Sequence, residues 1–431
     1  MKVRTFHADD GDCLIVETDD AVLLVDGGRM GTFTDHTSSA LSLLSETGRA
    51  IDAVLVSHID ADHISGILRL LDDVVARRRH LFQTADPDSG PYEPPRLAKI
   101  WHNTFDMQLG RDATELATAL MNAASTLAAS SADELMSSSS RLEMVALSQK
   151  QSAELTLQAT ELLEIPINPE TEGRPIVVTD DVQLTLGAAK VHVLGPFQED
   201  LDKLRAEFDD WLADNRDTVA TIRREMREEA AAIENDVDRL VLPLENAAKK
   251  LGDRASVTVP NLASLMMLIE EDGNTVLLTG DGHGDDVLRG LEHRGLIDED
   301  RGLHVDVLKI PHHGSEHNID RTKTGRSFRS DFLQKVTADH YIFCANGAHK
   351  NPDRDIVKAV IDSRVGPAAV RSPNPECDQY FKLWFTTHPD SMDGERRDHL
   401  RTVRRYVSRR SGDRFAHEWL EGDEFSIDLD A

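Results

Sequence analysis

The chain is short of cysteine, of long apolar runs and of basic charge, and each shortage closes off a class of protein. Cys13, Cys344 and Cys377 are its only cysteines in 431 residues. They are widely spaced and odd in number, which fits neither a disulfide framework nor a CxxC zinc site. Buried, reduced thiols in a cytoplasmic protein are therefore expected. No apolar run approaches the roughly 20 residues of a membrane-spanning helix. The opening MKVRTFHADDGD turns acidic where a secretory leader would carry its apolar core. With 77 acidic against 48 basic residues, the formal net charge is −29. A protein that grips nucleic acid mainly through phosphate charge needs a basic face. Here the basic tracts are Arg77–Arg79 and RRDHLRTVRRYVSRR at 396–410, and such clusters are ordinarily solvated helix faces.

What the chain does carry is a set of short β-prone runs. VRTF, CLIVET and AVLLVDGG are separated by Asp/Gly turns and predict a meander of strands, and IDAVLVSH predicts another. HISGILRLLDDVVARRR has apolar residues at helical spacing, so a helix is expected from about Ile64. KIWHNT reads as a short strand after a Pro/Asp/Gly-rich loop at 81–98, and strand character returns in PIVVTDDVQLTLGAAKVHVLGP. ASLMMLIE, TVLLTGD, HVDVLKIPHH, HYIFCANG and QYFKLWFTTH follow later as strands. A helix is expected to begin at Pro352 with Asn351 as its cap. The expected units are 1–104 and 256–390 as two halves of one core, with core strands at 166–199 between them. Helical insertions are expected at 105–165 and 200–255, and a C-terminal extension at 391–431. In the second insertion apolar residues recur from Leu201 to Leu240 at steps of mostly three or four. That pattern reads as a helix packing on its own chain, or as an arm for a homodimer or protein partner. Strands at both ends with helices outside predict an α/β fold of two packed β-rich halves.

The stretch VLVSHIDADHISG at 54–66 puts His58, Asp60, Asp62 and His63 at the end of an apolar strand. A helix cap would use one carboxylate and no histidine. A solvated loop would draw on Ser, Gly, Asn and Pro. Imidazole and carboxylate together are the donor types of Zn²⁺ and of harder ions such as Mn²⁺. Three later strands end in the same way: NTVLLTGDGHGDD with Asp281, VLKIPHHGSEHN with His312 and His313, and IFCANGAHKNPD with His349. Strands lying side by side would bring these tips to one edge, so a metal site is the expectation.

These motifs resemble the metallo-β-lactamase fold superfamily, and most closely the soluble hydrolase domain of ComEC-type proteins. His58, Asp60, Asp62 and His63 are similar to the HxHxDH signature in an HxDxDH form. DGDCLIVETDDAVLLVDGG, NLASLMMLIEEDGNTVLLTGD, LKIPHHGS and GAHKNPD resemble further ComEC-type segments. The resemblance implies an αββα sandwich and two divalent ions, Zn or Mn. The first ion would sit on His58, Asp60 and Asp281, and the second on Asp62, His63, Asp281 and His349. Of the His312–His313 doublet, one would bind metal, with His313 included among the ligands. The other would orient substrate or protonate the leaving group. Asp62, His312 and His313 are thus the expected catalytic residues, and Lys309 and Ser315 are weaker expectations for a phosphate contact. Gly195 stands where many superfamily members carry another histidine, and Asp60 replaces a histidine, so Mn²⁺ becomes a serious alternative to Zn²⁺. ComEC-type proteins carry membrane helices and this chain has none, so a free-standing soluble relative is expected. The implied activity is a phosphodiesterase or nuclease using a hydroxide shared by two ions, with a nucleotide or nucleic-acid substrate. The alternatives are a hydrolase of a thioester, lactone or lactam, or a non-enzymatic binding protein that keeps the site.

Overall fold

The computed structural model describes residues 1–84, 93–104, 107, 150–203, 205–206, 263–319 and 330–430. The N-terminal sheet is built from β1 (Lys2–Phe6), β2 (Leu14–Glu17), β3 (Val22–Val25), β4 (Ala53–Val56) and β5 (Ile100–His102). Two helices intervene: α1 (Ser38–Glu46) precedes β4, and α2 (Ala61–Gln83) follows it. The second sheet contains β6 (Leu184–Leu186), β7 (Ala189–Gly195), β8 (Met266–Glu271), β9 (Asn274–Leu278), β10 (Leu303–Lys309) and β11 (Val336–Phe343). It continues through β12 (Phe381–Phe385) and β13 (Phe415–Trp419). Helix α3 (Gly284–His293) follows β9, α4 (Arg354–Val365) follows β11, and α5 (Gly394–Ser408) follows β12. The last strand, β14 (Glu424–Asp428), returns to the first sheet.

The sheet orders are β14-β1-β2-β3-β4-β5 and β13-β12-β11-β10-β9-β8-β7-β6. Strand alternation sorts the side chains into layers. Along β4, Ala53 and Leu55 face the core between the sheets, whereas Val54 and Val56 face α1 and α2. Along β10, Val307 points into the inter-sheet core and Leu308 toward the helices that cover the second sheet. Each of these valines and leucines, fully buried, contributes roughly 1.5–3 kcal/mol of transfer free energy. The result is a four-layer αββα sandwich of the expected class. Strands β3, β4 and β5 run parallel, as do β9 through β13. In open α/β sheets, ligands collect beyond the carboxyl ends of parallel strands, and the His/Asp motifs lie at those ends.

Several local readings are corrected. Helix α2 starts at Ala61 rather than near Ile64, which puts Asp62 and His63 in its first turn. Helix α4 starts at Arg354, not Pro352. Its N-cap is Asp353, whose carbonyl accepts from Ile356 and Val357. Helix α1 follows a Ser/Thr-rich stretch that gives no clear periodic signal, yet it buries Ala40, Leu41 and Leu44 on one stripe. Of PIVVTDDVQLTLGAAKVHVLGP, the first part is not a strand, although Ile176 and Val178 pack into the inter-sheet core. The segment 391–431 supplies β13 to the edge of one sheet and β14 to the edge of the other. The bulk of the two expected helical insertions lies outside the described residues; their described ends, 150–162 and 201–203, are helical. The three cysteines are free and buried. Among the described residues no helix is long and apolar enough to cross a membrane.

Candidate metal centre

The site is assembled from strand ends. Beyond β4, Ser57 and His58 lead into the first turn of α2. Asp60 is the helix N-cap by position, but its side chain makes no capping bond. Its carbonyl instead accepts from the N–H groups of His63 and Ile64. The capping reading of this carboxylate is thereby set aside, and the side chain faces His58, with Oδ2 3.7 Å from Nε2. Asp62 gains from the positive end of the helix dipole. Asp281 follows β9, and His312 and His313 follow β10 in a turn where both residues take positive φ (44° and 54°). Left-handed conformations at non-glycine residues are costly and cluster at functional sites.

These tips close into a ring of donors around Asp281. Asp281 Oδ2 lies 3.7 Å from His58 Nε2, 3.5 Å from His312 Nε2 and 3.3 Å from His313 Nε2. Its Oδ1 lies 3.5 Å from His63 Nε2. Asp62 Oδ2 is 3.3 Å from His313 Nε2 and 3.7 Å from His63 Nε2. Asp60 adds a carboxylate beside His58, Asp62 adds one beside His63 and His313, and Asp281 touches all four imidazoles. The ring buries His58, His63, Asp281 and His313, whereas the His312 side chain is 26% exposed.

Behind the ring stands a second tier that orients it. Asp26, after β3, accepts from His63 Nδ1 at 2.9 Å, from the Ser57 hydroxyl at 2.7 Å and from the Ser57 N–H at 2.7 Å. His58 Nδ1 lies 3.0 Å from the Ser57 hydroxyl oxygen. A carboxylate only accepts, so the proton order runs from imidazole to hydroxyl to carboxylate. One aspartate therefore sets the tautomer of both rings and turns each Nε2 lone pair into the site. His313 Nδ1 donates in the same way to the Cys344 carbonyl at 2.8 Å and stands 3.3 Å from Asp12 Oδ1. Asp12, His63, Asp281 and His313 pack closely enough to share an ion. However, Asp12 meets both imidazoles on their Nδ1 side, so it orients ligands rather than serving as one. Such carboxylate–histidine pairs fix ring direction and raise donor strength.

Close approach depends on two glycines. A Cβ on Gly11 would fall 1.8 Å from the carbonyl oxygen of Asp62, and one on Gly66 would fall 1.9 Å from that of Gly27. The first contact lets the Asp12 loop touch the start of α2. The second lets the Asp26 loop lie against its second turn.

The electrostatics favour a cation. Burial lowers the basicity of His63 and His313, but facing carboxylates, Asp281 foremost, raise both rings well above the usual histidine range. Burial and the neighbouring His63 push His58 down to about 3. Burial also pulls His312 below its usual range. Burial alone would raise the Asp12 carboxyl; Lys309 and His63 hold it down at about 2. Burial likewise opposes ionisation of Asp281, and its four imidazole neighbours, His313 first, hold it well below the carboxylate range.

The structure brings together His58, Asp60, Asp62, His63, Asp281, His312 and His313. It leaves His349 exposed and outside the ring, because the left-handed turn Gly347–Lys350 stands between β11 and that side chain. Lys309, expected at a phosphate, is 1% exposed and engaged by Asp12, Asp281 and the Gly280 carbonyl. Ser315 is also buried. Asp12, Asp26 and Ser57 were not singled out from sequence. The signal for the two aspartates was their place in the DGD and VDGG turns that flank β2 and β3.

Residues 8–80 match the family model described as the metallo-beta-lactamase superfamily. That span carries Asp12, Asp26, His58, Asp60, Asp62 and His63, and members of the matched superfamily are mostly hydrolytic enzymes that bind divalent metals. Comparison with the curated proteins gives no match. Among solved structures the chain is similar to the metallo-beta-lactamase fold protein YhfI from Bacillus subtilis. The identity is 13% and the TM-score 0.35, over 99% of each chain.

Proposed function

We propose that the protein is a phosphodiesterase or nuclease that works with two divalent ions, Zn²⁺ or Mn²⁺, on a nucleotide or nucleic-acid substrate. The observation that carries this reading is the set of buried atoms left without a hydrogen-bond partner. Nε2 of His58, His63 and His313 and Oδ1 of Asp281 all belong to it, and all face the same small space. Orphaned buried polar atoms are rare and costly, and a cation satisfies lone pairs that converge from several directions. His58, Asp60 and Asp281 would hold one ion, and Asp62, His63, His313 and Asp281 the other. Bound there, the ions would supply a water acidic enough to attack at neutral pH, and positive charge for the oxygens of the bond under attack.

The charge of the site supports two ions rather than one. Asp12, Asp26, Asp60, Asp62 and Asp281 bring five carboxylates against the single ammonium of Lys309. Two divalent ions would balance that excess. A donor set this rich in carboxylate favours hard ions and phosphate oxygens, which brings Mn²⁺ forward. His312 is the most exposed imidazole of the ring, with 26% of its side chain accessible, and burial of the rest pulls it below its usual range, toward the neutral form. It therefore carries one N–H with which to orient a phosphoryl oxygen. The likeness of LKIPHHGS and its companion motifs to ComEC-type hydrolase domains points to the same bond. The net charge of −29 disfavours long duplex DNA but not a small nucleotide substrate.

The test is a metal-supplemented activity screen with bis-p-nitrophenyl phosphate, single-stranded DNA, RNA, cyclic nucleotides and a chromogenic lactam. Hydrolysis of a phosphodiester that needs added Mn²⁺ or Zn²⁺ is expected. Turnover of the lactam alone would move the assignment to the lactam, lactone and thioester class. No turnover of any substrate by metal-loaded protein would favour a binding role.

A further inference from the structure

Lys309 ends β10 on the face that Val307 directs into the inter-sheet core. A lysine there is out of place by composition, since lysine is almost never fully buried unless paired. Its ammonium is paired three ways: with Asp12 Oδ2, with Asp281 Oδ1 at 3.7 Å, and with the Gly280 carbonyl at 2.8 Å. The Asp12 and Asp281 side chains are only 2% and 4% exposed. Asp281 belongs to the donor ring. Asp12 lies behind it, against Nδ1 of His313 and His63. Lys309 therefore spans the two tiers. It is joined to the one carboxylate that reaches every imidazole of the ring and to the one that stands behind His63 and His313.

An ordinary buried ion pair would explain one carboxylate. It would not explain a cation in contact with one carboxylate on each side of the imidazole layer, Asp12 on the Nδ1 side and Asp281 on the Nε2 side. We infer that Lys309 is a positioning residue that acts as the resident cation of the site. It holds Asp12 and Asp281 in place so that the strand ends can close before any metal arrives, and the fold does not depend on metal loading. The inference rests on the metal reading of the ring, and the experiment separates the two.

The sign of the effect distinguishes this role from packing. Replacing Lys309 by Met keeps the apolar stem and removes the charge. Two buried carboxylates then lose their partner, which is strongly destabilising in metal-free protein. The same change removes a positive charge that repels an incoming ion, so metal should stabilise the variant more than the wild type. A packing defect would lower both forms equally.

The experiment is a set of melting curves in EDTA, in MnCl₂ and in ZnCl₂ for wild type, Lys309→Met, Asp12→Asn and the double variant. For Lys309→Met in EDTA, a Tm lowered by on the order of 10 °C is expected, with a larger metal-induced rise than in wild type. The double variant removes both charges and should regain most of the loss in EDTA, a coupling a double-mutant cycle measures directly. An unchanged Tm for Lys309→Met, or a loss that neither metal nor Asp12→Asn relieves, would overturn the inference. If Lys309→Met does not fold, the double variant decides. Folded in EDTA, it supports the role; unfolded, it refutes it. If wild type shows no metal-induced rise, the metal reading fails, and the comparison in EDTA still tests Lys309.

Discussion

Replacing Asp26 by Asn tests the tier behind the ring. Asp26 accepts three hydrogen bonds: Ser57 N–H at 2.7 Å, Ser57 hydroxyl at 2.7 Å and His63 Nδ1 at 2.9 Å. The amide keeps one accepting oxygen and turns the other position into a donor. If its nitrogen faces His63, the ring must accept at Nδ1 and carry its proton on Nε2, where the site needs a lone pair. If the amide turns over, its nitrogen meets the Ser57 N–H, donor against donor. Either arrangement leaves a buried group unsatisfied, at a cost of about 1–3 kcal/mol. At about 1.4 kcal/mol per factor of ten, that amounts to roughly 10- to 100-fold in metal affinity, the range expected for an orienting partner. The assay is titration of metal-free wild type and Asp26→Asn against a competing chelator. Equal affinities in two folded proteins would refute the orienting role of Asp26.

Three further outcomes are expected. Asp62→Asn should fold normally and lose on the order of a hundredfold or more in phosphodiester hydrolysis at saturating Mn²⁺, because a charge the second ion needs is gone; equal rates would show that the activity lies elsewhere. His349→Ala should leave metal content unchanged and shift stability by no more than about 0.5 kcal/mol, since that side chain is exposed and outside the ring; a lost ion would restore His349 to the ligand set. His102, at the end of β5, is fully buried, and burial holds it at about 4, below its ordinary 6.5. Above pH 6.5 it is neutral in both states; as pH falls from 6.5 to 4 the unfolded chain takes the proton first, so stability is lost in that window, by roughly 3 kcal/mol. Denaturant melts of wild type and His102→Gln at pH 7 and pH 4.5 should show a flatter pH dependence in the variant.

The class of fold was legible because its signals are periodic. Continuous apolar runs in β3 and β4 and alternation along β6 and β7 mark fully buried and half-buried strands. The ring was legible in part because its donors follow strands directly: His58, Asp281 and His313 each come within a few residues of a recognisable strand end. Asp26 and Asp12 were harder to read. Both sit in Asp/Gly turns, where an aspartate ordinarily serves the turn itself, and their partners, His63 and His313, are distant in sequence. His349 stands apart from the ring. It also follows a strand end, but the direction of a side chain beyond β11 depends on the positive φ of Gly347, His349 and Lys350, a turn that no apolar periodicity marks. Lys309, late in a strand, was expected at a phosphate. Only the sheet register reveals that it faces inward with Val307.

The most direct measurement of the central claim is elemental analysis of protein purified without chelator, followed by rebinding after EDTA. Asp281 between two sets of imidazole and carboxylate donors calls for about two divalent ions per chain, and both should return when Mn²⁺ or Zn²⁺ is added. Protein that holds no Mn, Zn, Fe or Ni and takes up none on addition would contradict the metal centre itself.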